Sequence, residues 1–158
     1  MIRVLFICHG NICRSPMAEF LLKDIVTKYG IADNFYIASA ATSSEEIWGG
    51  KGNPVYPPAR KKLAEHGIDC RGKYAVQLTK ADYNKYDYLI CMDEANIKNS
   101  LRIVGSDPEG KIKRLLFYTG HERNIADPWY TGNFDVTYED VVEGCEGLLE
   151  HILKEDMV

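Results

Sequence analysis

Long apolar runs are absent from this sequence. The N-terminal stretch MIRVLFICHG has only four consecutive apolar residues between Arg3 and Cys8, too few for a signal peptide or a membrane span. No later segment is long enough either, so no membrane partner is expected. Internal repeats, low-complexity tracts and linkers are also missing. The sequence therefore predicts one domain over residues 1–158, long enough to bury a core without disulfide bonds.

A strong excess of charge of either sign is also lacking. The chain has 19 basic and 23 acidic residues, and its net charge is −4. A basic footprint for nucleic acid is therefore not expected. The five cysteines are an odd number and are scattered along the chain. They are expected to be reduced thiols, which favours a cytoplasmic location.

Apolar runs of strand length alternate with helical patterns along the whole chain. The runs predict strands at residues 2–7, 35–39, 86–92 and 112–117. Helices are predicted from Pro16 to Gly30, over residues 57–67, from Asp93 to Gly105 and over residues 137–153, the last opened by a capping box of Thr137 and Asp140. This alternation predicts an α/β fold: a single, doubly wound, flavodoxin-like domain with a four-stranded parallel sheet and helices on both faces.

The turn after the first strand has the composition of an anion-binding loop. Neither G-x-x-x-x-G-K-[ST] nor G-x-G-x-x-G occurs, which weakens a nucleotide-binding interpretation. Instead, residues 8–16 read CHGNICRSP, where Gly10 and Asn11 tolerate positive φ and a helix begins at the end. Backbone N–H groups in such a turn can hold a phosphate, and Arg14 can bind two of its oxygens. The same field favours a thiolate at Cys8, which would attack phosphorus.

The segment CHGNICRSP resembles the phosphate-binding loop of the low-molecular-weight protein tyrosine phosphatases. SAATSSEEIW, PPARKKLAEHGI, DYLICMDEAN and ADPWY follow in the family's order. The resemblance implies hydrolysis of phosphotyrosine in proteins through a phosphocysteine intermediate, with no cofactor and no metal. In this interpretation Cys8 is the nucleophile, Arg14 binds the phosphate, and Asp127 is the general acid and then the base. His9 departs from the pattern, which has a small or apolar residue there.

The resemblance also implies a wider set of substrate-binding and supporting residues. Substrate or phosphate would contact His9, Gly10, Asn11, Ile12, Cys13, Ser15, Trp48, Trp129 and Tyr130. A hydrogen-bonded group of Asn11, Ser39 and His66 would brace the loop. Two alternatives stay open, since Ser15 could instead be a helix N-cap and His66 a helix C-terminal cap. Family members that act on phosphoarginine carry a threonine where this chain has Ile12, so Ile12 favours phosphotyrosine.

Cys13 has two possible roles in this loop. Cys8, His9 and Cys13 could suggest zinc, but no second pair of ligands with suitable spacing appears. Cys13 is more consistent with a resolving thiol beside a reactive Cys8, which would make the protein sensitive to redox conditions. Cys70, Cys91 and Cys145 are interpreted as structural.

Two other functions compete with this hypothesis. A thiol-dependent arsenate reductase shares the loop and the fold, but it requires a closely spaced cysteine pair late in the chain. Here Cys70 and Cys91 are far apart, and Cys91 lies in a predicted strand. A non-catalytic phosphotyrosine-binding module would need neither the nucleophile Cys8 nor the acid Asp127.

Overall fold

Four parallel strands form one sheet in the computed structural model, which describes residues 1–156. The last two residues of the predicted domain, 157 and 158, lie outside this part. In chain order the elements are β1 (Ile2–Cys8), α1 (Arg14–Lys28), a 3₁₀ turn (Ala32–Asn34), β2 (Phe35–Ala41), β3 (Ile47–Trp48), β4 (Lys51–Gly52), α2 (Pro57–Glu65), α3 (Asp82–Lys85), β5 (Tyr88–Cys91), α4 (Glu94–Val104), β6 (Ile112–Arg114), a second 3₁₀ turn (Leu115–Thr119), α5 (Pro128–Thr131) and α6 (Phe134–Glu155). The sheet has the order β2-β1-β5-β6, and β3 and β4 form a separate antiparallel hairpin.

Strand β1 lies inside the sheet and is buried on both faces. Val4 and Phe6 belong to the larger apolar core, which also contains residues of α1, α2 and α6. Leu5 and Ile7 belong to a second core with residues of α4. Because successive side chains of a strand point to opposite faces, these two cores show helices on both sides of the sheet. The predicted doubly wound α/β fold is confirmed.

The side on which successive strands are added to the sheet reverses at β1. Strand β2 pairs with one edge of β1, and β5 pairs with the other edge. In open α/β sheets, the crevice at such a switch point lies beyond the carboxyl ends of the strands. The loop that follows Cys8 is therefore at the position where a ligand is expected.

The predicted start of α6 and the predicted end of β6 were each wrong by three residues, 137 against 134 and 117 against 114. Helix α6 begins at Phe134, and its N-cap is Asn133, whose side chain accepts a hydrogen bond from the Val136 amide. Thr137 is not a cap, because its hydroxyl is buried and donates to the carbonyl of Ala126. Strand β6 is also shorter than predicted, since a 3₁₀ turn follows it and buries two consecutive leucines, which a strand would direct to opposite faces.

None of the helices within residues 1–156 is long and apolar enough to cross a membrane.

Candidate active site

The loop between β1 and α1 surrounds the sulfur of Cys8. The amides of Asn11 and Ser15 donate to Cys8 Sγ over 3.3 and 3.4 Å, and Ser15 Oγ lies 2.9 Å from the same atom. This geometry requires an unusual backbone, because Asn11 has a φ of 58° and is the one non-glycine residue with positive φ in the described chain. A buried sulfur with three polar neighbours is suited to carry negative charge.

Ser15 contacts the cysteine and does not cap the helix. Helix α1 begins at Arg14, and no side chain accepts a hydrogen bond at its N-cap, Cys13. The hydroxyl of Ser15 is fully buried between Cys8 Sγ and the side-chain amide of Asn11. Of the two roles that the sequence left open, the structure places Ser15 beside the thiol.

Arg14 lines the same cavity, and hydrogen bonds fix the position of its guanidinium. Its Nη1 donates to Asp93 Oδ2 over 2.6 Å and to the carbonyl of Ile125 over 2.8 Å, while Nη2 is 3.5 Å from Asp127 Oδ2. Burial lowers the pKa of the guanidinium, but Cys8, Asp93 and Asp127 together raise this pKa above its ordinary value. Arg14 therefore remains a fixed cation that faces the sulfur and the candidate acid.

Asp127 is positioned by the short helix that follows it. Its Oδ1 accepts a hydrogen bond from the amide of Trp129, so Asp127 is the N-cap of α5. The other oxygen, Oδ2, points to Arg14. The cap role and a role at the cavity are therefore compatible, because each uses a different carboxylate oxygen.

A cavity of about 130 Å³ opens above these groups. It is lined by Cys8, His9, Gly10, Ile12, Cys13, Arg14, Glu45, Glu46, Asp127, Trp129 and Tyr130. Trp129 and Tyr130 form an aromatic side of the mouth, and the Trp129 ring packs on Tyr56 at a centroid distance of 4.8 Å. Six of the nine residues predicted to contact substrate or phosphate thus line one cavity, whereas Asn11, Ser15 and Trp48 do not.

The prediction that Trp48 lines the cavity was wrong. Trp48 lies in the hairpin of β3 and β4, where it is 75% exposed, and it does not line the cavity. Glu45 and Glu46 occupy the wall instead. Glu45 Oε2 is 3.0 Å from His9 Nε2, so the histidine that departs from the family pattern contacts this acidic segment.

A buried hydrogen-bonded network supports the loop from behind. The side-chain amide of Asn11 donates to the hydroxyls of Ser15 and Ser39 over 2.7 and 2.9 Å. The hydroxyl of Ser39 in turn donates to Glu19 Oε1 over 2.6 Å. Asn11 Oδ1 accepts from the amide of Val76. Since all polar atoms of the Asn11 side chain are thus engaged, the strained loop backbone is held in one conformation.

His66 is not part of this network, contrary to the prediction. It is exposed at the end of α2, where its ring stacks on Tyr138 at 4.2 Å. Lys73 takes the expected supporting position, because its ammonium donates to the carbonyl of Ser39 over 2.9 Å and lies 3.6 Å from Glu19. Burial lowers the pKa of Lys73, and the charge of Glu19 opposes this shift.

Sequence reasoning also missed Asp93, although a signal for it existed. Asp93 follows β5, the strand next to β1, so its side chain lies at the same sheet edge as Cys8. The sequence predicted it only as the start of a helix, and in the structure it is the N-cap of α4, since Oδ1 accepts from the Asn96 amide over 2.8 Å. The second oxygen, Oδ2, is the one that binds Arg14.

The five cysteines are all free and buried, and only Cys8 and Cys13 line the cavity. Burial, with the charge of Cys8, raises the pKa of Cys13 well above that of a free thiol. Within residues 1–156, no group of three or more histidine, cysteine or acidic side chains is arranged to hold a metal ion.

We predict that replacing Glu19 breaks the supporting network. Glu19→Gln leaves the partly buried Lys73 and the more exposed Lys23 without this anionic partner, so the free energy of unfolding should fall by about 3 kcal/mol. The double variant Glu19→Gln/Lys73→Met should recover most of this loss, because it removes both buried charges. Urea denaturation measures the free energy of unfolding of the wild-type protein, the single variant and the double variant.

The exposed carboxylate Glu65, paired with Lys62, provides the matched control. Glu65→Gln should cost less than about 1 kcal/mol. An equal loss for Glu19→Gln and Glu65→Gln would contradict the supporting role of the buried carboxylate.

Comparison with known proteins identifies the family. The family model for low molecular weight phosphotyrosine protein phosphatases matches residues 3–158. The low molecular weight protein-tyrosine-phosphatase YfkJ of Bacillus subtilis is 39% identical over 98% of both chains, and the human low molecular weight phosphotyrosine protein phosphatase is 38% identical over 93% of both.

Solved structures agree with this match. The crystal structure of YfkJ has a TM-score of 0.92 and 38% identity, covering 99% of this chain and 97% of that chain. The Drosophila arginine phosphatase DARP has a TM-score of 0.86 and 29% identity, covering 99% of this chain and all of the other. This chain therefore belongs to the low molecular weight phosphotyrosine protein phosphatase family, a family of phosphoric monoester hydrolases.

Proposed function

We propose that this protein hydrolyses phosphotyrosine in proteins through a phosphocysteine intermediate at Cys8. One observation carries the proposal: at the floor of a cavity, Cys8 Sγ accepts hydrogen bonds from two loop amides. Arg14 and Asp127 lie at the same cavity. A nucleophile, a cation for the phosphoryl oxygens and a proton donor are thus present together.

In the first step, the Cys8 thiolate attacks phosphorus and forms an S–P bond while the bond to the tyrosine oxygen breaks. Asp127 gives its proton to that leaving oxygen. Arg14 and the loop amides bind the equatorial phosphoryl oxygens, where negative charge is concentrated in the transition state. The hydroxyl of Ser15, 2.9 Å from Cys8 Sγ, stabilises the thiolate before and after the reaction.

In the second step, water attacks the phosphocysteine and Asp127 accepts a proton from it. The S–P bond breaks, inorganic phosphate is released, and the Cys8 thiolate is restored. Positioning and electrostatics carry this mechanism, and no metal ion or organic cofactor takes part in it.

Several features of the cavity support phosphotyrosine as the substrate. The sulfur of Cys8 lies at the bottom, with the residue only 3% exposed, so a substrate must carry its phosphate far from its backbone. Trp129 and Tyr130 offer an aromatic side to a phenyl ring. Ile12 adds an apolar surface, which favours a phenyl ring over the guanidinium of phosphoarginine.

The arsenate reductase hypothesis receives less support. Its thiol relay needs, besides any cysteine of the loop itself, a cysteine pair from later in the chain within reach of Cys8, but Cys70, Cys91 and Cys145 do not line the cavity. Each is buried elsewhere; the thiol of Cys91, for example, contacts Ser100, and that of Cys145 contacts a backbone carbonyl of α1. The assignment of residues 1–158 to a single phosphatase domain and the cytoplasmic location both remain predictions.

Turnover measured on matched substrates tests the proposal. The wild-type protein should hydrolyse phosphotyrosine peptides faster than phosphoserine and phosphoarginine peptides, and it should not reduce arsenate with a thiol donor. Cys8→Ser should abolish turnover but still bind inorganic phosphate, because the loop amides and Arg14 remain. Faster hydrolysis of the phosphoarginine peptide than of the phosphotyrosine peptide would overturn the assignment of phosphotyrosine as the substrate. Substantial activity in Cys8→Ser would overturn the covalent mechanism.

Asp127→Ala tests the general acid by its dependence on the leaving group. The phenol of tyrosine has a pKa near 10, so its oxygen needs a proton, whereas nitrophenolate leaves readily as an anion. The variant should therefore lose about 100-fold or more in the first step on phosphotyrosine, and much less on p-nitrophenyl phosphate. Burst kinetics isolates that step from hydrolysis of the intermediate.

Asp69, an exposed carboxylate that pairs with Arg71, supplies the control. Asp69→Ala should change neither rate. Equal losses on the two substrates in Asp127→Ala would mean that another residue is the acid.

We further propose that Cys13 protects Cys8 from irreversible oxidation. Peroxide would convert the Cys8 thiolate to a sulfenic acid, and the Cys13 thiol would condense with it, releasing water and forming a disulfide. Two arrangements support this proposal: both cysteines line one cavity, and they lie on one loop. Besides burial, the negative charge of Cys8 is a cause of the raised pKa of Cys13, and oxidation of Cys8 to a sulfenic acid removes that charge just when Cys13 has to attack.

After peroxide treatment, dithiothreitol should restore activity in the wild-type protein and in the control Cys70→Ser. Recovery should be poor in Cys13→Ser, because its sulfenic acid would proceed to sulfinic acid. The same recovery in Cys13→Ser as in Cys70→Ser would remove Cys13 from this role.

A further inference from the structure

Three carboxylates surround the mouth of the cavity. Glu45 and Glu46 line one side, and Asp127 lies near Arg14. The lining residues also include the cation Arg14, whose side chain is 3% exposed, and His9, which contacts Glu45; the Cys8 thiolate of the proposed mechanism would add a further negative charge. An incoming phosphate dianion therefore passes an acidic entrance before it reaches the buried cation, an arrangement that by itself would slow its entry.

The acidic segment is fixed to the phosphate-binding loop. The amide of Thr42 donates to the carbonyl of Cys8 over 3.0 Å, and the amide of Ser43 donates to the carbonyl of His9 over 2.9 Å. These two bonds continue the pairing of β1 and β2 past the ends of the strands. Residues 45 and 46 come shortly after Ser43 in the sequence. These two hydrogen bonds therefore fix the start of the acidic segment against the phosphate-binding loop.

Each of the two glutamates has its own contact with the loop. The side chain of Glu45 is 71% exposed, and its carboxylate meets His9 at 3.0 Å. Glu46 is half-buried and lies over Gly10, since a Cβ added to that glycine would be 3.2 Å from Glu46 Cγ. The carbonyl of Glu46 accepts from the amide of Asn53 over 2.8 Å. The chain therefore holds both carboxylates at the entrance.

We propose that Glu45 and Glu46 select phosphotyrosine residues that have lysine or arginine beside them in the substrate protein. This inference rests on the proposed phosphotyrosine activity. With the phosphate on the loop, the neighbouring residues of the peptide lie at the entrance, within reach of the two carboxylates. A cationic neighbour offsets the repulsion of the phosphate, whereas an acidic neighbour adds to it.

Three phosphotyrosine peptides of equal length test this selection. They differ only in the residues on either side of the phosphotyrosine, which are lysine, alanine or glutamate. The value of kcat/KM should fall in that order, by about tenfold from the lysine to the glutamate peptide at low salt. The ratio should shrink as salt is added, since the contacts are exposed.

Variants assign the selection to the two residues. In the double variant Glu45→Gln/Glu46→Gln, the ratio between the lysine and glutamate peptides should approach one, and in Glu45→Lys/Glu46→Lys, which reverses both charges, it should invert. Glu146→Gln makes the same change of charge on an exposed residue of α6, outside the cavity, and should keep the wild-type ratio. Because each protein is compared with itself on two peptides, a partial loss of folded protein does not affect the result.

The outcomes separate this inference from the proposed function. Equal rates on the three peptides in the wild-type protein would overturn the selection and leave the phosphotyrosine activity intact. A ratio that persists in the double variant would also overturn the role of Glu45 and Glu46. Failure to hydrolyse any of the three peptides would overturn the proposed function itself.

Discussion

Hydrogen bonds from backbone amides to the sulfur of Cys8 are the interaction on which the rest of the site depends. They require the chain to turn back on itself directly after β1, with Asn11 in the left-handed region. An L-residue other than glycine adopts this conformation at a cost, so other contacts must stabilise it. The side chain of Asn11 supplies them, because it joins two buried serines and the amide of Val76. The ion pair of Glu19 and Lys73 completes this support.

Much of the fold could be predicted because its signals are local. The four strands are short apolar runs, the helices between them have regular apolar spacing, and alternation of the two implies a parallel sheet. Given that sheet, the loop after Cys8 had to lie at its carboxyl edge. The residues of this loop are adjacent in sequence, so Cys8, Gly10, Asn11 and Arg14 could all be found without knowing the tertiary structure.

The parts of the site that come from distant segments were harder to predict. Lys73 reaches Ser39 from an irregular segment, which is joined to the region before α2 by an isolated bridge at Tyr74 and to β2 by an isolated bridge at Gln77. Such a segment has no periodicity to mark its position. His66 was chosen in its place from its order along the chain, and the structure puts it at the surface. The prediction for Trp48 was wrong for a similar reason, since the hairpin that carries it leaves the residue exposed and outside the cavity lining.

We predict that phosphate becomes bonded to Cys8 during turnover. Rapid acid quenching of the Asp127→Ala protein with p-nitrophenyl phosphate, followed by mass spectrometry of its proteolytic fragments, measures this directly. This substrate needs no general acid to form the intermediate, and the slower hydrolysis expected without a general base should let the intermediate accumulate. The fragment that contains residues 8–14 should carry one phosphoryl group, and fragmentation should locate it on Cys8. A phosphoryl group on His9, or none at all while nitrophenol is being released, would contradict a phosphocysteine intermediate at Cys8.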